Sequence, residues 1–156
     1  SLCYSSNNTI TNNNCFYSGI SLCYSSNNTI TNNNCFYSGI SLCYSNNNTI
    51  TENICSYIRR GYGIYLSSSN NNSITKNNCS YNRRGIELFY HLINNTISNN
   101  ICSHNNEDGI RLYESNNNII TNNNCSYNSY GLMLSSSRSS PLIILPGRIS
   151  NFPSLS

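Results

Sequence analysis

A chain of 156 residues with eight Lys and Arg, five Asp and Glu and a formal charge of +3 lacks the dense basic stripe that a nucleic-acid partner requires. Only 8% of residues are charged, Trp is absent and Asn and Ser abound, which argues against a two-layer domain with a broad apolar core. No apolar run is long enough to span a bilayer, and no basic-apolar-cleavage pattern marks a leader.

Residues 1–20 (SLCYSSNNTITNNNCFYSGI) recur unchanged as residues 21–40. This repetition, with a low net charge, argues for a fold rather than for disorder. The Ile of the NNTI motif anchors six copies at Ile10, Ile30, Ile50, Ile74, Ile97 and Ile120, in steps of 20, 20, 24, 23 and 23. Three residues after each anchor stands Asn (13, 33, 53, 77, 100, 123), and five after it Cys (15, 35, 55, 79, 102, 125). A second motif, Gly-apolar-x-Leu, opens each later copy, from Gly19-Ile20-Leu22 to Gly131-Leu132-Leu134.

Ile and Leu two positions apart share one face of a strand, and the Gly before them suits a corner that needs positive φ or a close backbone approach. In Thr-Ile-Thr the Ile points inward and the Thr residues outward. The odd spacing from Ile10 to Cys15 forces a change of register at the Asn-rich segment, whose residues tolerate turn conformations. A unit of two or three short strands cannot bury its own apolar side, so the copies must stack, like over like, at about 4.8 Å per coil. Six coils make a rod roughly 29 Å long. In-register Asn side chains can then form amide ladders. The predicted fold is all-β: a right-handed parallel β-helix of about six coils of 20–24 residues over 1–137, with an irregular tail or cap over 138–156. Leu142–Leu145 is a candidate capping strand. A leucine-rich repeat lacks its L-x-x-L-x-L consensus here, and the Asn, Ser, Thr and Gly content opposes helical repeats.

The recurring pattern GI-x-L … NNTIT-x-N-x-C-x-Y resembles the NosD-like β-helix repeats of the pectin-lyase-like superfamily. That resemblance implies a module of a larger secreted or envelope-anchored protein, with carbohydrate binding as a frequent role and copper delivery as the role of NosD itself. Ser1-Leu2 lacks the Gly-Ile that precedes its counterparts, so the repeat region reads as truncated at its start.

Chemistry is sparse. Catalytic β-helix enzymes use clustered carboxylates, and only Glu52, Glu87, Glu107, Asp108 and Glu114 are present. Glu87 and Arg111 read as vertical neighbours, and Glu107-Asp108 as neighbours of Arg83-Arg84, both as surface ion pairs. Of nine Cys, six form the inward ladder, whereas Cys3, Cys23 and Cys43 form a shorter ladder expected to face outward. No C-x-x-C pair occurs, and no cofactor or metal site is assigned; a copper site would have to draw on His91, His104 and Met133. His104 takes a Tyr position in the ladder Tyr17, Tyr37, Tyr57, Tyr81, Tyr127, which favours ring stacking over ligation. The Thr9/Thr11, Thr29/Thr31 and Thr49/Thr51 pairs resemble an ice-binding array, but Thr is also simply a good strand residue. The preferred binding face is the outer side of the Gly-Ile-x-Leu strands: Tyr65, Glu87, Phe89, Arg111 and Tyr113.

The sequence therefore predicts a non-catalytic scaffold module of a secreted or cell-surface protein. Its expected partners are a polysaccharide or cell-envelope glycan, and neighbouring coils or self-association at the solenoid ends. The alternatives are a NosD-like copper accessory and a fragment of a polysaccharide lyase or hydrolase whose catalytic residues lie elsewhere.

Overall fold

A computed structural model of the chain describes residues 1–136 and the strand 143–145. The first three coils each supply three strands: β1 (Leu2–Cys3), β2 (Thr9–Thr11) and β3 (Asn14–Phe16); β4 (Ile20–Cys23), β5 (Thr29–Thr31) and β6 (Asn34–Phe36); β7 (Ile40–Cys43), β8 (Thr49–Thr51) and β9 (Ile54–Ser56). Later coils continue with β10 (Tyr62–Ser67), β11 (Ser73–Thr75), β12 (Arg84–Phe89), β13 (Thr96–Ser98), β14 (Asp108–Tyr113), β15 (Ile119–Thr121), β16 (Tyr130–Ser135) and β17 (Ile143–Leu145). All pairings are parallel and join one coil to the next.

Sheet 1 runs β1-β4-β7-β10-β12-β14-β16, sheet 2 runs β2-β5-β8-β11-β13-β15-β17, and sheet 3 is β3-β6-β9. The third side continues upward as single bridges, Ile54 to Asn78, Asn78 to Ile101 and Ile101 to Asn124. Each pairing sets like over like: Leu22 on Leu42, Ile30 on Ile50, Cys35 on Cys55. Ile143 lies in register with Ile119. Leu142 and most of 138–156 fall outside the described residues.

Alternation within each strand turns one set of side chains into a narrow core. Its columns are Ile and Leu from sheet 1, Ile from sheet 2 and Cys from the third side, nearly all fully buried in the interior coils. Burying a Leu or Ile contributes about 1.5–3 kcal/mol, and a single coil has too few of them to offset the entropy of ordering 20 residues. Stacking is the condition for folding.

Polar columns share this interior. Asn33, Asn53, Asn77, Asn100 and Asn123 are buried, and each accepts from the backbone N–H and the Nδ2 of its counterpart one coil earlier, as in Asn53 N (3.0 Å) and Nδ2 (3.0 Å) to Asn77 Oδ1. Asn77 Nδ2 donates onward to Asn100 Oδ1 at 3.1 Å and to the Ile50 carbonyl at 2.9 Å. A second Asn column (8, 28, 48, 72, 95, 118) does the same at the other corner. Sequence reasoning named the first column and overlooked the second, although it stands two residues before the anchoring Ile of every copy.

The corners differ from expectation in one respect. No described glycine has positive φ; the left-handed positions fall mostly on Asn (7, 12, 27, 32 and others) and on Tyr (4, 17, 24, 37 and others), with Glu52, Ser68, Lys76, His104, Glu114 and Ser136 taking the equivalent places in later coils and His91 following Tyr90. Asn adopts this region readily. For Tyr, stacking offsets the cost: Tyr4 on Tyr24 at 5.1 Å, Tyr24 on Tyr44 at 5.0 Å, Tyr57 on Tyr81 at 5.2 Å. The glycines serve close approach instead. A Cβ on Gly63 would lie 2.7 Å from the Gly85 carbonyl oxygen and 2.8 Å from Cys79 Cβ.

Candidate functional site

Sheet 1 turns the odd members of each Gly-apolar-x-Leu strand outward, and its register assembles them into two vertical columns. Tyr65, Glu87, Arg111 and Met133 pair in series, and beside them Ser67, Phe89, Tyr113 and Ser135. The five residues singled out from sequence therefore share one face across three adjacent coils. Phe89 stacks on Tyr113 at 5.1 Å, Tyr65 tilts against Phe89 at 6.4 Å, and Arg111 lies 5.9 Å above the Tyr113 ring.

The ion pairs are not the two separate surface contacts that the sequence suggested. Glu87 is only 2% exposed, and Arg84 and Asp108 are also buried. Arg84 is the hub: Nη1 reaches Glu87 at 3.1 Å, Nη2 reaches Glu107 at 2.6 Å, and Nε lies 3.0 Å from Asp108 Oδ2. Arg83 donates to Glu107 at 2.7 Å and Arg111 Nε lies 3.7 Å from Glu87, so three Arg and three carboxylates form one network. The lengthened strands cause this. β12 and β14 begin at Arg84 and Asp108, ahead of the Gly, and bring loop charges onto the sheet. Tyr62 completes the cover, with its ring 5.1 Å from Tyr65 and Arg84 5.9 Å above it.

These surroundings separate two adjacent carboxyls. Burial pushes Asp108 above its ordinary range, against the pull of Arg84 and Arg111. The hydrogen bond from Arg83 draws Glu107 below its own, helped by the charge of Arg84. Burial, then the Glu87 carboxylate, raises the Tyr62 phenol. A surface cleft of about 440 Å³ opens beside this network, lined by Arg84, Glu107, Asp108, Arg111, Tyr130 and Met133 among others. Sequence reasoning missed Arg84 as the hub, and missed Tyr62 and Tyr130; none of the three has a like residue above or below it to flag it.

The residues of the copper reading do not converge. Met133 is on the outer face of sheet 1, His91 is exposed in the turn after β12, and the His104 ring is stacked between Tyr81 (5.2 Å) and Tyr127 (4.7 Å). Among the described residues no three His, Cys, Asp or Glu gather where they could hold a metal ion. Interior Cys79 and Cys102 have thiols raised well above the ordinary range, chiefly by burial, which leaves them protonated and inert.

Stacked parallel coils, a column-built core and individual side chains displayed on the outer face of one sheet define a right-handed β-helix repeat protein. The chain belongs to the right handed beta helix region family, which it matches over residues 2–145. Among solved structures it is similar to a double mutant of the periplasmic alginate epimerase AlgG, with 23% identity and a TM-score of 0.62, covering 86% of this chain and 31% of that one. A single mutant of the same epimerase gives 26% identity and a TM-score of 0.57, covering 78% of this chain and 29% of that one. The chain thus spans less than a third of either solved protein. No curated protein matches it.

Proposed function

We propose that this chain is a non-catalytic β-helix module of a secreted or cell-surface protein, and that it binds a polysaccharide on the outer face of sheet 1. The observation that carries this reading is the register: Tyr65, Phe89, Arg111 and Tyr113 share one face, beside a cleft of about 440 Å³. Aromatic faces and a fixed guanidinium are the groups on which sugar rings and acidic sugar substituents rest. Arg111 and Tyr113 supply direct contacts. Glu87, being buried, orients Arg84 and Arg111 and does not meet the ligand. The likeness to a periplasmic alginate epimerase supports both a compartment outside the cytoplasm and a polysaccharide partner. The NosD-like resemblance is compatible with that compartment, but its copper role draws no support from the scattered positions of His91, His104 and Met133.

The test is a glycan array supplemented with alginate. Wild-type chain is expected to bind, and Arg111→Ala and Tyr113→Ala each to lose at least tenfold in affinity. Binding that neither substitution changes rejects this face.

A second reading is favoured by the short span relative to the epimerase: the chain is a segment of a polysaccharide lyase or hydrolase whose catalytic residues lie elsewhere. Polysaccharide cleavage by the intact protein that persists in Asp108→Asn and Arg111→Ala would support it over pure binding.

A further inference from the structure

Two thiol ladders run along this rod, and only the inner one is explained by packing. The outer one consists of Cys3, Cys23 and Cys43, directly paired in register on β1, β4 and β7. Cys3 is exposed, Cys23 and Cys43 are half-buried, and all three are free thiols. The ladder stops at Ser67, the next residue in register.

The spacing of adjacent parallel strands decides what such a ladder can hold. Side chains in register are related by a shift of about 4.8 Å along the stack. An unstrained disulfide wants Cβ atoms about 3.5–4.5 Å apart, so direct oxidation needs the coils to be squeezed together. A cation held linearly by two thiolates, with metal–sulfur bonds near 2.3 Å, sets its sulfurs about 4.6 Å apart and fits the unperturbed stack. We propose that the Cys3–Cys23–Cys43 ladder binds one soft, two-coordinate monovalent cation of the Ag(I) or Cu(I) class between adjacent coils.

Thiolate donors select soft cations, and the absence of a third convergent ligand among the described residues disfavours tetrahedral Zn(II). Both gaps in the ladder share Cys23, so one cation bound to Cys23 in linear geometry occupies the site, paired with either Cys3 or Cys43. The coordination step exchanges one cation for two thiol protons, with no change of oxidation state. Because coordination releases those protons, binding tightens as pH rises. The inner ladder has the same spacing but is sealed from Cys35 onward: Cys35, Cys55, Cys79, Cys102 and Cys125 have no exposed surface, and only Cys15 in the first coil is half-buried.

The test is titration of the reduced full chain with Ag(I), without air or added thiol, following ultraviolet sulfur-to-metal charge transfer and proton release. The expected result is one equivalent of cation and two protons released per chain. Cys3→Ser and Cys43→Ser should each keep that equivalent, whereas Cys23→Ser and the double variant Cys3→Ser/Cys43→Ser should weaken binding at least a hundredfold. The double variant retains Cys23, so it decides the matter even if Cys23→Ser fails to fold. Full binding in the double variant overturns the proposal, as does loss on Cys15→Ser, which would move the site to the inner ladder. Zn(II) bound as tightly as Ag(I) overturns the two-coordinate geometry.

Discussion

Residues 1–51 contain no Asp, Glu, Lys or Arg, whereas all thirteen charged residues, eight basic and five acidic, lie from Glu52 onward. The two regions share one core. In the first, coils repeat every 20 residues, sheet 1 strands such as β4 and β7 are four residues long, and their outer x positions are Ser21 and Ser41. In the second, the stretch between core Cys and Gly grows from three residues (36–38) to as many as seven (56–62), and β10, β12, β14 and β16 reach six residues. The outer positions there become Tyr65, Glu87, Arg111 and Met133. The stack constrains what points inward and the length of the sheet strands' cores; it leaves the outer columns and the pre-glycine loop free to diversify.

The contrast is sharpest at Arg84. Replacing it with Ala strands Asp108 as a buried carboxylate without its paired cation and leaves Glu87 only Arg111 at 3.7 Å, and should cost about 3–5 kcal/mol in denaturant unfolding. A loss below about 1 kcal/mol would reduce the network to surface decoration. Next comes the core that both regions share. Asn77→Ala leaves the Asn53 backbone N–H without its acceptor inside the rod and should cost about 3 kcal/mol, whereas Asn13→Ala in the exposed first coil should cost about 1 kcal/mol. Equal losses would mean that the end coil is as well sealed as the middle. Gly63→Ala forces a methyl against backbone and Cys79, for about 1–3 kcal/mol. The exposed Lys76–Glu52 pair, at 3.7 Å, should contribute less than about 1 kcal/mol, tested by Lys76→Ala.

The last prediction is the finest in scale. Carboxyl resonances should show Asp108 titrating above its ordinary 3.8 and its neighbour Glu107 below its ordinary 4.5. The signs oppose. Between its ordinary and raised values the folded Asp108 holds more proton than the unfolded chain, so stability falls as pH rises through that window. The Glu107 contribution is present above its ordinary value and lost as pH falls through its lowered one. Asp108 and Glu107 titrating together in the ordinary range would mean that the cleft is open to water.

What repeats was legible in the sequence. Ile10 to Ile120, Cys15 to Cys125 and Asn13 to Asn123 announce themselves by period, and period alone fixed the stacking and the outward face of Tyr65, Glu87, Phe89, Arg111 and Tyr113. What occurs once was not. Spacing placed Glu107 and Asp108 beside Arg83 and Arg84, but not the turn of Arg84 onto Glu87 three residues on, nor the burial that joins both pairs into one network. The Tyr corners were hidden for another reason: positive φ at Tyr runs against local preference and is sustained by rings in neighbouring coils, a tertiary effect.

The two amide columns carry a consequence of their own. In each, Nδ2 donates toward the following coil and Oδ1 faces the preceding one, from Asn8 to Asn28 and onward, without reversal. Every side-chain amide is a small dipole, and here they add head to tail along the rod axis, as peptide groups do in a helix. The rod is therefore electrically directional: each coil offers oxygen to its predecessor and hydrogen to its successor, so two such rods meeting end to end match in one orientation and repel in the other.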